Sequence, residues 1–333
     1  MLHAPHFPWM QNIAVVIFFI LSGFVITYSA IIKSRGDSYT FFDFFADRAS
    51  RIFSAYLVAI FFILAVDGLS IYVNSDAYAY TKAFNMPTFL YNVAMLQDYP
   101  LKHFIDMPVI DATSFGSARI LWTISIEWWI YMFFGVMFFC MHKNEKASIP
   151  KVALFIPSYI VVAWYLYDSR GGNLSIFWAC GMICFIFYEK YRNNVTGLFA
   201  NILVLLSSLS TCISIQYTIV NAYNLLFAIS LAISIVSFIN ATNYFAISKI
   251  EKVVEFTAAY SFTLYLVHYS IMDFMARNLS FKNGYAAFIC AFLISNAVAL
   301  VISKFSERTF RFMLKDFIYK LRGVTHKVKS LEL

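Results

Sequence analysis

The sequence predicts an all-α polytopic membrane protein, and three observations carry the prediction. Of the 333 residues, 61% are hydrophobic and 13% are charged, where a soluble domain is about one quarter charged. Nine runs approach the roughly 20 apolar residues that cross a bilayer as a helix. They lie near 12–32, 52–73, 120–141, 150–167, 172–188, 198–215, 222–240, 259–276 and 285–303. The basic residues also sort by connection. Nineteen of the 25 Lys and Arg fall on alternate loops and the C-terminal segment, and six on the other loops. That asymmetry puts the richer set in the cytoplasm. No polar linker, repeat or low-complexity tract interrupts the chain, so 1–333 reads as one membrane domain.

The elements follow in order. The first span contains FFILSGF, in which Ser22 and Gly23 permit close helix approach. The second begins after DRASRIF and carries Asp67 late in its course, where solvation at the outer interface would relieve the cost of the charge. Residues 74–118 form a long external loop. Within it, 84–96 is apolar but too short to cross, and a re-entrant or interfacial helix fits. Loops of this length are often functional, and packing on the membrane surface accounts for it equally well. The runs at 150–167 and 172–188 are short, and Pro157 would kink the first. Residues 304–333 form a basic cytoplasmic tail. This topology leaves the N-terminus outside, although residues 1–11 contain no basic residue and form no signal peptide. An upstream helix, or a start other than Met1, is therefore expected.

Charge and cysteine content narrow the chemistry. The net charge of +7 comes from residues flanking spans. It fits topology and contact with anionic membrane lipids, and not nucleic acid. Cys140, Cys180, Cys184, Cys212 and Cys290 all lie in apolar segments without a CxxC pair, so they read as packing residues and not as metal ligands or a disulfide framework.

Polar residues inside spans are the functional candidates, because an ionised carboxylate in lipid costs several kcal/mol. Glu127 is the foremost. Thr123, Glu127 and Tyr131 share a stripe at four-residue steps, and Trp122, Ser125 and Trp129 form the adjoining one. A structural hydrogen-bonded carboxyl and an active-site carboxyl both satisfy this pattern. Arg48 and Arg51 share a helical face at the cytoplasmic surface. They could fork onto phosphate oxygens or simply anchor the span. His3 and His6 precede the first span on the outer side; histidine is the usual general base near neutral pH. Ser261, Tyr265 and His268 share a face expected to point into the bundle, with a structural hydrogen bond for His268. No Walker loop, GxSxG elbow, HExxH or dinucleotide fingerprint is present.

Taken in order, FFILSGFVIT (18–27), RASRIFSAY (48–56), LWTISIEWWIYMFF (121–134), the stretch from Phe177 to Gly181, SFTLYLVHYSI (261–271) and the Glu307-Arg308 pair resemble the acyltransferase-3 family of integral membrane acyltransferases. The resemblance implies a ten-helix bundle that moves an acyl group, commonly acetyl from acetyl-CoA, to a hydroxyl. The acceptors it implies are cell-surface or exported glycans or lipid-linked sugars, and it implies no metal. It places Arg48 and Arg51 at the acyl-CoA, makes Glu127 the acid of a Trp-Ser-x-Ser-x-Glu-like motif with Thr123 and Ser125 at the serine positions, and likens His3 to the first-helix catalytic histidine. His6 is the alternative. Trp122, Tyr131, Tyr265 and His268 would support the site. The arginine that precedes that histidine in the family is missing here. This agrees with the odd span count and implies either an upstream start or a truncated remnant. A transporter or flippase is the rival class, since intramembrane polar groups also suit a substrate path.

Overall fold

A computed structural model describes residues 10–36, 38–100, 113–167, 172–191, 197–218, 224–242, 248–281 and 283–323. The regular structure among them is helical: α1 (Met10–Lys33), α2 (Phe41–Val73), α3 (Met86–Val93), α4 (Trp122–Met141), α5 (Ile149–Tyr167), α6 (Leu174–Tyr191), α7 (Leu198–Thr218), α8 (Leu225–Thr242), α9 (Ser248–Asn278), α10 (Gly284–Ser303) and α11 (Arg311–Leu321). A π-helical turn, Lys304–Phe310, joins the last two.

Among the described residues, seven helices are long and apolar enough to cross a membrane: α1, α2, α4, α5, α7, α8 and α10 with its continuation. The protein is a multi-pass membrane protein. The spans expected near 172–188 and 259–276 form as α6 and α9. Glu189 and Lys190 end the first, while His268, Asp273 and several tyrosines make the second more polar. The apolar stretch within 84–96 forms α3, capped by the Asn85 side chain accepting from the Thr88 N–H, with a proline in its first turn. Two helices start well ahead of the expected spans. α9 begins at Ser248, and α2 begins at Phe41, so Arg48 and Arg51 lie inside the helix and not ahead of it.

The chain divides into two compact units, Met1–Thr40 with Trp129–Lys249, and Phe41–Trp128 with Ile250–Leu333. In the first, α1 packs on α6, α6 on α5 and α8, and α7 on α8. The α1–α6 contact is built on reciprocal glycines. A Cβ at Gly23 would sit 2.0 Å from the Trp178 carbonyl oxygen, and one at Gly181 would sit 1.9 Å from that of Ile20. Close backbone approach is the membrane substitute for hydrophobic burial, which lipid does not reward.

In the second unit, the loop after α2 is fastened to the end of that helix by Asp67. The expectation of solvation at the interface is wrong: Asp67 is only 2% exposed. Its Oδ2 instead accepts from the Ser117 N–H at 2.7 Å and the Tyr78 hydroxyl at 3.0 Å. Gly116, in the left-handed region at φ 51°, passes so close that a Cβ there would meet this oxygen at 2.0 Å. Burial, then the Asp67 charge, pushes the Tyr78 phenol above its ordinary range. A second tie runs to α9. The Tyr80 hydroxyl donates to Asp273 Oδ1 at 2.8 Å, Arg277 pairs with Asp273 Oδ2 at 2.7 Å, and the same guanidinium donates to the Ala77 carbonyl.

Candidate functional site

The second unit gathers most of the predicted site residues. α4 starts where Leu121 and Ser125 are anchored by the loop. Gln97 Nε2 donates to the Leu121 carbonyl and to the Tyr56 hydroxyl, and Ser125 Oγ donates to the Met95 carbonyl at 2.6 Å. On the adjoining stripe Thr123 shares a 2.7 Å hydrogen bond with the Tyr265 hydroxyl, which joins α4 to α9. Ser125, Thr123 and Tyr265 thus position the first turns of α4, with Trp122 buried beside them.

One turn on, Glu127 is 2% exposed. Its neighbour Trp128 stacks edge-on against Phe53 at 5.0 Å and Phe45 at 5.9 Å, both on α2. This sets Glu127 at the level of the arginine-bearing third of α2. The two arginines are unequal. Arg48 is buried and lies over the Phe44 ring at 5.7 Å, whereas Arg51 is exposed. A guanidinium tolerates such burial better than an ammonium because it is delocalised and more weakly hydrated.

The amino-terminal third of α2 is held by α11. The Tyr319 hydroxyl donates to Asp43 Oδ1 at 2.6 Å, and Lys315 pairs with Asp47 Oδ1 at 2.7 Å. These are successive rungs, each four residues on, of an antiparallel helix pair. Arg322 caps the end of the pair by lying over Phe42 at 4.4 Å. Glu307, in the π-helical turn, accepts from both the N–H and the hydroxyl of Thr263 on α9.

His268 is fixed by its own helix. Its Nδ1 lies 2.9 and 3.1 Å from the carbonyl oxygens of Tyr265 and Leu264. Carbonyls only accept, so Nδ1 is the donor in both contacts. The face shared by Ser261, Tyr265 and His268 lines a largely apolar cavity of about 500 Å³ formed with α10 residues such as Phe288, Phe292 and Ser295. The expected structural hydrogen bond of His268 is therefore present.

Tyr131 belongs to the first unit, where it bonds to Ser22 Oγ at 2.8 Å; Trp178 Nε1 donates to that same oxygen at 3.1 Å. Its role there is to tie α1, α4 and α6. His3 and His6 lie outside the described residues. Sequence reasoning missed Gln97, Tyr56 and Asn92, whose buried amide and phenol groups fasten the loop. It also missed the acceptor–donor rungs of α11. Asp43 and Asp47 against Tyr319 and Lys315 give a signal only when the two segments are aligned antiparallel.

A family model described as an acyltransferase domain matches residues 5–304. The chain belongs to the acyltransferase-3 family. It is therefore a membrane acyltransferase, and its buried intramembrane carboxylate lies within the matched region. Nothing matches among curated proteins or among solved structures.

Proposed function

We propose that this acyltransferase-3 protein transfers an acyl group, acetyl foremost, from acyl-CoA to a hydroxyl of a cell-surface, exported or lipid-linked glycan. The observation that carries the reading is the buried Glu127 on a membrane-crossing helix, set at the level of Arg48 and Arg51 by the Trp128 contacts. Arg48 and Arg51 bind the donor phosphates from the cytoplasmic side, and the exposed Arg51 meets them first. His3 removes the proton from the acceptor hydroxyl as the oxygen attacks the thioester carbonyl. The new ester C–O bond forms, the C–S bond breaks, and the proton leaves with the CoA thiol. Glu127 orients the imidazole and balances its positive charge, as the acid of a catalytic triad does.

The test uses the purified chain in proteoliposomes with acetyl-labelled acetyl-CoA and a lipid-linked glycan extract, followed by mass spectrometry of the glycan. Label appearing as an alkali-labile ester on the glycan supports the reading. Consumption of donor without glycan labelling would redirect the search to another acceptor. Glycan crossing the bilayer with no transfer of label would replace the enzyme reading with a transporter.

A further inference from the structure

The antiparallel pair of α2 and α11 has a third rung, and it is occupied in an unusual way. Counting four residues on from Asp43–Tyr319 and Asp47–Lys315 brings Arg51 opposite Arg311. The first two rungs each join an acid to a donor. The third sets two guanidiniums against each other, an arrangement that is destabilising unless an anion lies between them. Arg51 is the foremost charge acting on Arg311, followed by Asp47, Arg48 and Glu307.

The nearby acids are committed elsewhere. Asp47 holds Lys315, and Glu307 holds Thr263 on α9. Among the described residues, neither Arg51 nor Arg311 forms an ion pair or a hydrogen bond through its side chain. The chain reaches Arg311 through the π-helical turn Lys304–Phe310, a rare geometry that recurs at functional sites. Arg311 also lies beyond residue 304, where the family match ends.

We propose that Arg311 joins Arg48 and Arg51 in a three-guanidinium cradle for the phosphates of the acyl donor. The proposal rests on the donor reading above and adds a binding residue to it. Three forks from two helices approach a diphosphate from two sides, whereas two arginines one turn apart on a single helix approach it from one. The repulsion within the cradle is tolerated because the bound anion relieves it.

The shared chemistry is a phosphate ester, which the coenzyme or an anionic lipid headgroup could supply. The full chain would be reconstituted in phosphatidylcholine nanodiscs, and the affinity for CoA, inorganic pyrophosphate and phosphate-free pantetheine measured with the thermal midpoint. Arg311→Gln should weaken CoA and pyrophosphate binding roughly tenfold or more and leave pantetheine unaffected. It should also keep or raise the midpoint of the unliganded protein, because a like charge is removed. Arg311→Lys should recover part of the affinity. A merely structural Arg311 would instead lower the midpoint in both variants without a selective loss of phosphate binding.

Wild-type affinity for CoA in Arg311→Gln would overturn the cradle while leaving the donor reading intact. Pyrophosphate binding that depends on Arg311, without CoA binding by the wild type, would support the anion site and sink the donor reading. Binding of neither probe by the wild type would overturn both. A midpoint that responds to phosphatidylglycerol in the disc but not to CoA would assign the arginines to lipid and overturn the proposal.

Discussion

At the scale of single residues, burial separates structural polar groups from chemical ones only when their partners are known. Asp67 and Glu127 are equally withdrawn from solvent, each 2% exposed. Asp67 is explained by the two donors that fasten a loop to it, and nothing catalytic is needed to account for it. Glu127 is level with the arginine-bearing stretch of α2 through its neighbour Trp128, and the proposed mechanism makes a definite demand on it. Glu127→Gln keeps the shape and removes the charge, so transfer should fall by about a hundredfold or more. His3→Ala should cost at least about a hundredfold. If the two act as a unit, the double variant should be little worse than either single one. Independent, multiplying losses in that cycle would separate Glu127 from the histidine. The Asp67 ties were not legible in the sequence, because its donors Tyr78 and Ser117 come from a loop whose path no periodicity encodes.

At the scale of elements, the close contact of α1 with α6 gives the sharpest expectation. The atoms that a side chain at Gly181 would meet are backbone atoms of Ile20 and Phe24, which cannot rotate away. Gly181→Val should therefore cost about 1–3 kcal/mol or more, read as a lower thermal midpoint in detergent. A nearby control, Gly197→Ala, faces open space and should change little. An unchanged midpoint for the valine variant would show that the helices are not held this closely. The small-residue pair at Ser22 and Gly23 was visible in the sequence, but its partner was not, since Gly181 carries no label saying which helix it faces. Helix ends were legible wherever apolar length alone sets them, as in α7, α8 and α10. They were misplaced in α2, where Phe41 to Arg51 alternates aromatic and charged residues and reads as a flank. In the fold this stretch is held along its side by α11 through Asp43 and Asp47.

For the whole molecule, the proposed chemistry requires an orientation. Donor arginines must face the compartment that makes acyl-CoA, which puts Asn74–Ala77 on the opposite side from α11. In a cysteine-free background, Ser75→Cys should react with a membrane-impermeant maleimide in intact cells. Lys320→Cys should react only after permeabilisation. The reverse pattern would place the arginines away from the donor and refute the mechanism. The all-helical plan and multi-pass nature were legible from composition and span length alone, since a bilayer leaves few other solutions. The acceptor-specific chemistry was not, because recognition of a sugar depends on loop side chains brought together by folding.

The length of α2 carries a further consequence. At about 1.5 Å per residue its 33 residues run about 50 Å, whereas the hydrocarbon layer is only about 30 Å thick. The stretch from residue 52 onward fills that layer by itself, so the Asp43-to-Arg51 segment stands in the headgroup zone as a pier, braced along its side by α11. A pier of this kind places its cations in a conducting medium. Their hold on an anion should then weaken as ionic strength rises, while the buried carboxyl of Glu127 stays insulated from the same salt. Salt would thus separate two groups that lie at one level, the exposed guanidinium of Arg51 and the buried carboxyl of Glu127.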